Sequence, residues 1–401
     1  MLRVLDRYLG IPVVAALALL RAFRRRPPPR DIIRIGLLKT AGIGDTVLLS
    51  AIVRDIVKDP QVEVYLITGE ANAAAAKLID GVQEVVTLPM THPLRALSTL
   101  RRYRFDVLLD FGPWPRINAI LAALARAQHT IGFRTAGQWR HFAYDRIVDH
   151  SRAVHEIDNY RRLAEAAGYR STSAPLLGKG EPVPRALLPM RPFIVCHLWS
   201  AGFNGSWKEW GAERWRAVIE SLVTGGHDVV LTGGQDDRDA TAEFHRELNA
   251  ASVRVHDLSG KLDLAQTLEL LRRSELVISV NTGVMHMAAV VGTPVISLEG
   301  PTPVQRWGPI GEHVMPIVST HPGAGYLYLG WEYEGAPSDT MDGIAAEDVL
   351  RAAHAILGDE EAGSPRTRLR ARPTPVRLSR VPVHGKEPQE RVAGDSSTLA
   401  S

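Results

Sequence analysis

From Asp31 onward the chain repeats one pattern: a short apolar run, a turn containing Gly, Asp or Pro, then apolar positions at helical spacing. IIRIGLLK, VEVYLIT, EVVTLP and FDVLLDFG read as strands, with TVLLSAIVRDIVKD, ANAAAAKLID and LRALSTLRRYR as the helices between them. Strands that are apolar along their whole length and alternate with helices belong to a parallel sheet covered on both faces. The alternation restarts after GKGEPVPRALLPMRP. FIVCHLW, HDVVLTGG, RVHDLSG, LVISV, PVISLEG and HVMPIVS then read as strands, and AERWRAVIESLVTGG and LAQTLELLRRS as helices. The Pro- and Gly-containing residues 178–192 are the predicted linker. The expectation is an α/β protein of two Rossmann-like doubly wound domains, residues 31–185 and 186–360, facing each other across a cleft.

The two ends break this pattern. Residues 1–30 hold an uncharged apolar run, 9–20, bracketed by Arg7 and Arg21, which is too short to span a bilayer. Its densest positive cluster follows the run, the reverse of a secretory signal. Two readings stand level: a helix lying in a membrane interface, held by buried apolar area and anionic lipid, or a helix packed on the protein's own surface. Residues 361–401 are rich in Pro, Arg and Ser and have too few aliphatics to bury a core, so disorder is expected there. The net charge of +3 hides an uneven distribution, with the arginines at the ends and a nearly neutral middle. The basic tail lacks interleaved aromatics, which argues against nucleic acid as a partner. The single cysteine, Cys196, sits inside FIVCHLW, so it is expected in the core of a protein from a reducing compartment.

Open parallel sheets bind ligands beyond the carboxyl ends of their strands. LVISV ends in Asn281-Thr282-Gly283 and enters a short apolar helix, whose first N–H groups have no intrahelical partner and suit a phosphate. In the first domain IGLLK runs into TAGIGD, where Gly42 and Gly44 permit a tight turn and Asp45 stands at the helix start, facing the cleft. Each feature also has a structural reading. Asp45 suits an N-cap, and the glycine pair is an incomplete dinucleotide fingerprint. Lys208 suits a solvated lysine, His286 a satisfied core histidine, and Asp236 with Asp237 a cap for the next helix. Taken singly, these structural readings prevail.

Their order and spacing change the weighing. GIGDTVLLSAIVRDI, HEIDNYRRLAEAAGY, WKEWGAERW, LTGGQDDRD, LSGKLDLAQTLELLRRSELVIS, NTGVMHMAAVVGTPVISLEGPTPVQRWGPIG and MDGIAAEDVL together resemble glycosyltransferase family 9, the ADP-heptose:lipopolysaccharide heptosyltransferases. The resemblance runs in stretches over residues 33–357. It implies a GT-B architecture, with the acceptor held mainly by the first domain and the sugar nucleotide mainly by the second. It also implies inverting transfer without a catalytic metal or other cofactor. By motif match, Asp45 takes the general-base role, Lys208 pairs with phosphate, and Thr282-Gly283 forms the pyrophosphate site. Gly42, Gly44, Gly233, Gly234, Asp237, Ser259, Gly260, Asn281 and His286 then surround the substrates, with Asp237 directed to the ribose hydroxyls. The implied partners are a nucleotide-sugar donor and a lipid-linked glycan acceptor of lipopolysaccharide type. The implied location is the cytoplasm, peripheral on the inner face of the membrane through residues 1–30.

Two departures qualify the donor site. Val280-Asn281-Thr282-Gly283 stands where the family has Asn-Asp-Thr-Gly or Asp-Thr-Gly, replacing a carboxylate by an amide. His197-Leu198-Trp199 stands where it has His-Pro-Gly, followed by SAGFNGSW, so that Trp199, Phe203 and Trp207 either line a pocket or simply pack. A GT-B epimerase acting on a free UDP-sugar and a non-catalytic saccharide-binding relative remain as alternatives.

Overall fold

The computed structural model describes residues 2–22, 27–202, 204–248, 254–328 and 332–358. The predicted tail 361–401 and Phe203 lie outside these residues. A first sheet of six parallel strands has the order β3-β2-β1-β4-β5-β6, formed by β1 (Arg34–Lys39), β2 (Glu63–Gly69), β3 (Glu84–Leu88), β4 (Phe105–Asp110), β5 (Ala127–Arg134) and β6 (Arg146–Asp149). A second has the order β12-β11-β10-β7-β8-β9, formed by β7 (Phe193–His197), β8 (Asp228–Thr232), β9 (Val255–Asp257), β10 (Leu276–Val280), β11 (Val295–Glu299) and β12 (Val314–Val318). Strand order reverses between β1 and β4 in the first sheet, and between β7 and β10 in the second, where Ser279 lies level with His197. A ligand is expected beyond both switch points, and the loops carrying Asp45 and Asn281 leave from them.

Helices follow the strands: α1 (Leu2–Ala22), α2 (Ile43–Ile56), α3 (Ala73–Ala76), α4 (Pro93–Leu100), α5 (Arg116–Leu124) and α6 (Glu156–Ala166), then α7 (Ala212–Thr224), α8 (Arg238–Glu247), α9 (Leu264–Arg273), α10 (Gly283–Val290), α11 (Val304–Trp307) and α12 (Ala346–Leu357). Two strands escape the hydrophobic pattern. β5 reads AQHTIGFR, yet it is buried: Asp145 Oδ2 accepts from both the N–H and the hydroxyl of Thr130 at 2.8 Å, and the ring of Tyr144 lies where a side chain on Gly132 would stand. β6 is a mostly exposed edge strand of four residues, with no apolar run to betray it.

The N-terminal run forms one helix, α1, with Pro12 inside it, and packs on the protein. Val14 is buried, Gly10 lies on Arg116, and Asp6 accepts from the backbone N–H groups of Arg116 and Ile117 at 3.1 and 2.7 Å. Asp6 thereby caps α5, whose own N-cap is Pro115 and supplies no side-chain bond. The surface-packed reading therefore describes one face of α1. Elsewhere on its surface Ile11, Val13 and Leu19 are exposed. Among the described residues no helix is long and apolar enough to cross a membrane.

The two halves meet where the N-terminus of α2 abuts that of α10. Val284, Met285 and Met287 of α10 share one apolar cluster with Val47, Leu48 and Ile52 of α2. A Cβ at Gly283 would overlap Ile43, and one at Gly44 would overlap the ring of His286. Gly44 sits inside a helix, where propensity alone favours Ala by up to about 1 kcal/mol. The overlap reverses that sign. Gly44→Ala is expected to destabilise by about 1–3 kcal/mol, as overpacking does, and His286→Ala in the same chain should recover most of the loss. Denaturant titration of the single and double variants checks this. A stabilised Gly44→Ala protein would mean that His286 yields freely.

Candidate active site

The loop after β1 is built around Gly42, whose φ of 88° lies in the left-handed region. Gly42, not Asp45, is the N-cap of α2, so the capping reading of Asp45 fails; Asp45 is the third helical residue. Its carboxyl group folds back over Gly42, which has no side chain to obstruct it. Oδ1 accepts the hydroxyl of Tyr160 at 2.6 Å and faces the ammonium of Lys39 at 3.2 Å. Oδ2 has no donor among the described residues, and about a fifth of the side chain reaches solvent (19%). Burial, followed by the Asp45 charge, pushes the Tyr160 hydroxyl well above its ordinary pKa, so it remains a donor.

Across the junction, Thr282 is the N-cap of α10 and makes no side-chain cap bond. Gly44 N lies 3.3 Å from the Cβ position of Gly283, which brings the Asp45 loop against the start of α10. Gly283 thus has a packing reason to be glycine, and a bulky replacement there would disturb the domain junction as well as any ligand. Lys208 ends a 3₁₀ turn, Gly205–Lys208. Burial lowers its pKa, opposed by the charges of Glu299, Asp45 and Glu209. This places the lysine in the field of carboxyl groups from both halves.

Asn281 is not a bare substitute for a carboxylate. Its amide donates to Glu299 Oε2 at 2.8 Å and to the Trp307 carbonyl at 3.1 Å. Glu299, at the end of the neighbouring strand, is fully buried, and its Oε1 has no hydrogen-bond partner among the described residues. Burial pushes its pKa up to about 7, against the hydrogen bond from Asn281 and the charge of Lys208. His286 is buried, and burial, with the charges of His155 and Lys208, pushes it down to about 3, so its ring is neutral.

The remaining candidates form a loop pair beyond β8 and β9. Gly234 N–H donates to Asp237 Oδ2 at 2.7 Å, so Asp237 closes its own turn; it is also the N-cap of α8, without a side-chain bond there. Gly260, with φ 65°, donates its N–H to the Gly233 carbonyl at 2.9 Å. Ser259 is turned inward: it is buried and its hydroxyl donates to Thr241 at 3.0 Å. Trp199 donates to the same Thr241 hydroxyl at 2.7 Å, and Trp207 packs edge-on against Tyr333. Both tryptophans therefore pack. Cys196 is buried in the second core, as expected.

Sequence reasoning missed Lys39, Tyr160 and Glu299, and a buried cluster that joins the halves. Arg306 of α11 forms an ion pair with Glu156 of α6, and His150 Nε2 stands 3.1 Å from both Glu156 Oε2 and Arg306 Nη2. Lys39 did leave a signal, a charge closing an apolar strand at a switch point. Glu299 likewise follows four apolar or small residues in VISLE. Glu156 and Tyr160, one helical turn apart in HEIDNYRRL, face one way only once the helix is placed.

A profile of the family described as glycosyltransferase family 9 (heptosyltransferase) matches residues 94–325. Lipopolysaccharide heptosyltransferase 2 of Salmonella typhimurium is 24% identical over 306 residues, covering 70% of this chain and 85% of the relative. Lipopolysaccharide heptosyltransferase 2 of Escherichia coli K12 is 26% identical over 306 residues, covering 70% of this chain and 86% of the relative. Among solved structures, E. coli ADP-heptose lps heptosyltransferase II superposes with a TM-score of 0.65 at 20% identity, over 82% of this chain and 100% of that one. E. coli heptosyltransferase WaaC with ADP gives 0.64 at 18% identity, over 80% and 99%. The fold of these neighbours is GT-B, as expected from the sequence.

The buried Glu156 generates an acid-stability prediction. Burial by itself would raise its pKa; the His150 hydrogen bond and the Arg306 charge outweigh that and bring it down to about 2 from 4.5. A lowered carboxyl pKa stabilises the fold above the unfolded value, and the contribution is lost as pH falls through the folded one. Wild type is expected to lose up to about 3 kcal/mol from this group between pH ~4.5 and ~2. Glu156→Gln should be less stable at neutral pH, because Arg306 loses its counter-charge, and should show a shallower acid limb. Denaturant midpoints measured across that range check this; parallel limbs would assign the acid sensitivity to other groups.

Proposed function

The chain belongs to glycosyltransferase family 9, the heptosyltransferases, and on that premise we propose that it transfers heptose from ADP-heptose, with inversion, onto a lipopolysaccharide-type acceptor. The observation that supports this best is the meeting of the Asp45 loop with the start of α10, with Lys208 in the field of Asp45 and Glu299. A single displacement needs a base on one side of the anomeric carbon and a stabilised leaving group on the other. Asp45 takes the proton of the acceptor hydroxyl as that oxygen bonds to the anomeric carbon. The carbon–oxygen bond to the diphosphate breaks, and ADP leaves with the bonding pair. Its growing negative charge meets Lys208 and the N–H groups at Thr282 and Gly283, which stabilise the transition state more than the ground state. The names of the curated relatives support the lipopolysaccharide acceptor, and the solved relatives named with ADP and ADP-heptose support the donor.

Asp45→Asn keeps the shape but cannot accept the proton, so turnover is expected to fall about a hundredfold or more, with ADP affinity and melting temperature near wild type. Lys208→Ala is expected to weaken ADP binding at least about tenfold, the scale of a lost charge-assisted contact. Steady-state kinetics with ADP-heptose and calorimetric titration of ADP separate the two; near-normal turnover of Asp45→Asn removes it as base.

The acceptor's lipid gives the outward face of α1 a role as a peripheral membrane contact. Ile11 and Leu19 are exposed there, Arg21 lies in the last turn of the helix, and Arg24, Arg25 and Arg26 follow it in sequence. Deleting the helix would confuse release with unfolding, because Val14 and Asp6 are built into the domain. Ile11→Glu with Leu19→Glu is the cleaner variant. It should lose affinity for vesicles containing anionic phospholipid at unchanged melting temperature, and unchanged vesicle binding would deny the face this role.

A further inference from the structure

Tyr160 and Glu156 lie four residues apart on α6, on the face turned to the junction. Tyr160 reaches Asp45 of its own half, whereas Glu156 is paired with Arg306 of the other. The tyrosine ring is fixed on two sides: Phe111 meets it edge-on at 5.2 Å, and Lys39 Nζ stands 5.8 Å over its face. Arg306 lies over the Trp307 ring at 4.5 Å, and the Trp307 carbonyl accepts from Asn281 at 3.1 Å. His155, the residue before α6, contacts the Gly308 carbonyl through Nε2 at 3.0 Å. One short helix thus touches the carboxylate proposed as base and the α11 segment whose Trp307 carbonyl accepts from the donor-side Asn281.

We propose that Tyr160 is a positioning residue for the transfer reaction: its hydroxyl holds Oδ1 of Asp45 so that Oδ2 faces the acceptor, and the Glu156–Arg306 pair fixes its helix against α11, which holds Asn281 through the Trp307 carbonyl. The proposal rests on the reading of Asp45 as the base. A carboxylate with one oxygen tied by Tyr160 and Lys39 cannot rotate to satisfy itself elsewhere. Transfer reactions are sensitive to misplacement of the reacting groups by distances on the order of 1 Å. Tyr160 makes no contribution of its own to the chemistry, so its effect must pass through Asp45.

A double-mutant cycle on the full chain tests that dependence. Tyr160→Phe keeps the ring packing and removes only the hydroxyl. In the wild-type background it is expected to lower kcat by about tenfold, with KM for ADP-heptose changed less than about twofold and ADP affinity unchanged. In the Asp45→Asn background the same change should alter the residual kcat by less than about twofold. A purely structural tyrosine would give equal factors in both backgrounds, and that result overturns the proposal while leaving Asp45 as base. Near-normal turnover of Asp45→Asn alone overturns the base reading, and the proposal with it.

Discussion

The architecture depends on two helix N-termini meeting end to end. A helix start is normally spent on solvent, a cap or a ligand. Here α2 and α10 bring theirs together, and each contributes a glycine at the contact, Gly44 under His286 and Gly283 under Ile43. The apolar cluster that continues through this contact joins the two sheets into one core. It sets the loop of Asp45 beside the helix start that would hold a diphosphate. The proposed base and leaving-group site are thereby brought together by packing.

Burial at this junction also controls charge. His286 and His197 are both pushed down by burial, to about 3 and about 4, and stay neutral. Glu299 is pushed up to about 7, so near neutral pH it is divided between its two forms. Burial lowers the Lys208 pKa, and the charges of Glu299, Asp45 and Glu209, from both halves, oppose that shift. A lysine partly shielded from water makes each later contact with an anion stronger. The buried Glu156–Arg306 pair illustrates the same economy of water: taken singly either charge is unfavourable there, and together they clamp the halves.

Much of this was legible in the sequence. Alternating apolar runs and helical spacing locate ten of the twelve strands, and the motif series points to the family. The two missed strands were hidden for identifiable reasons, since β5 buries polar groups on an internal partner and β6 is too short and exposed to leave a pattern. Asp45 and Lys208 could be singled out as candidates because chemistry-bearing residues in loops after strands have a local signature. Tyr160 was not, because its partner lies 115 positions away and only the packing of α6 brings them together. Ser259 shows another limit: its hydroxyl donates inward to Thr241, a direction that spacing does not encode.

The central claim is that donor diphosphate and base meet at the α2–α10 junction. A crystal structure of the chain with ADP bound tests it most directly. The account predicts diphosphate oxygens about 3 Å from the backbone N–H groups at the start of α10 and from the Lys208 ammonium, with Asp45 on the far side of the diphosphate, towards the first sheet. ADP bound away from this helix start and from Lys208 would contradict it.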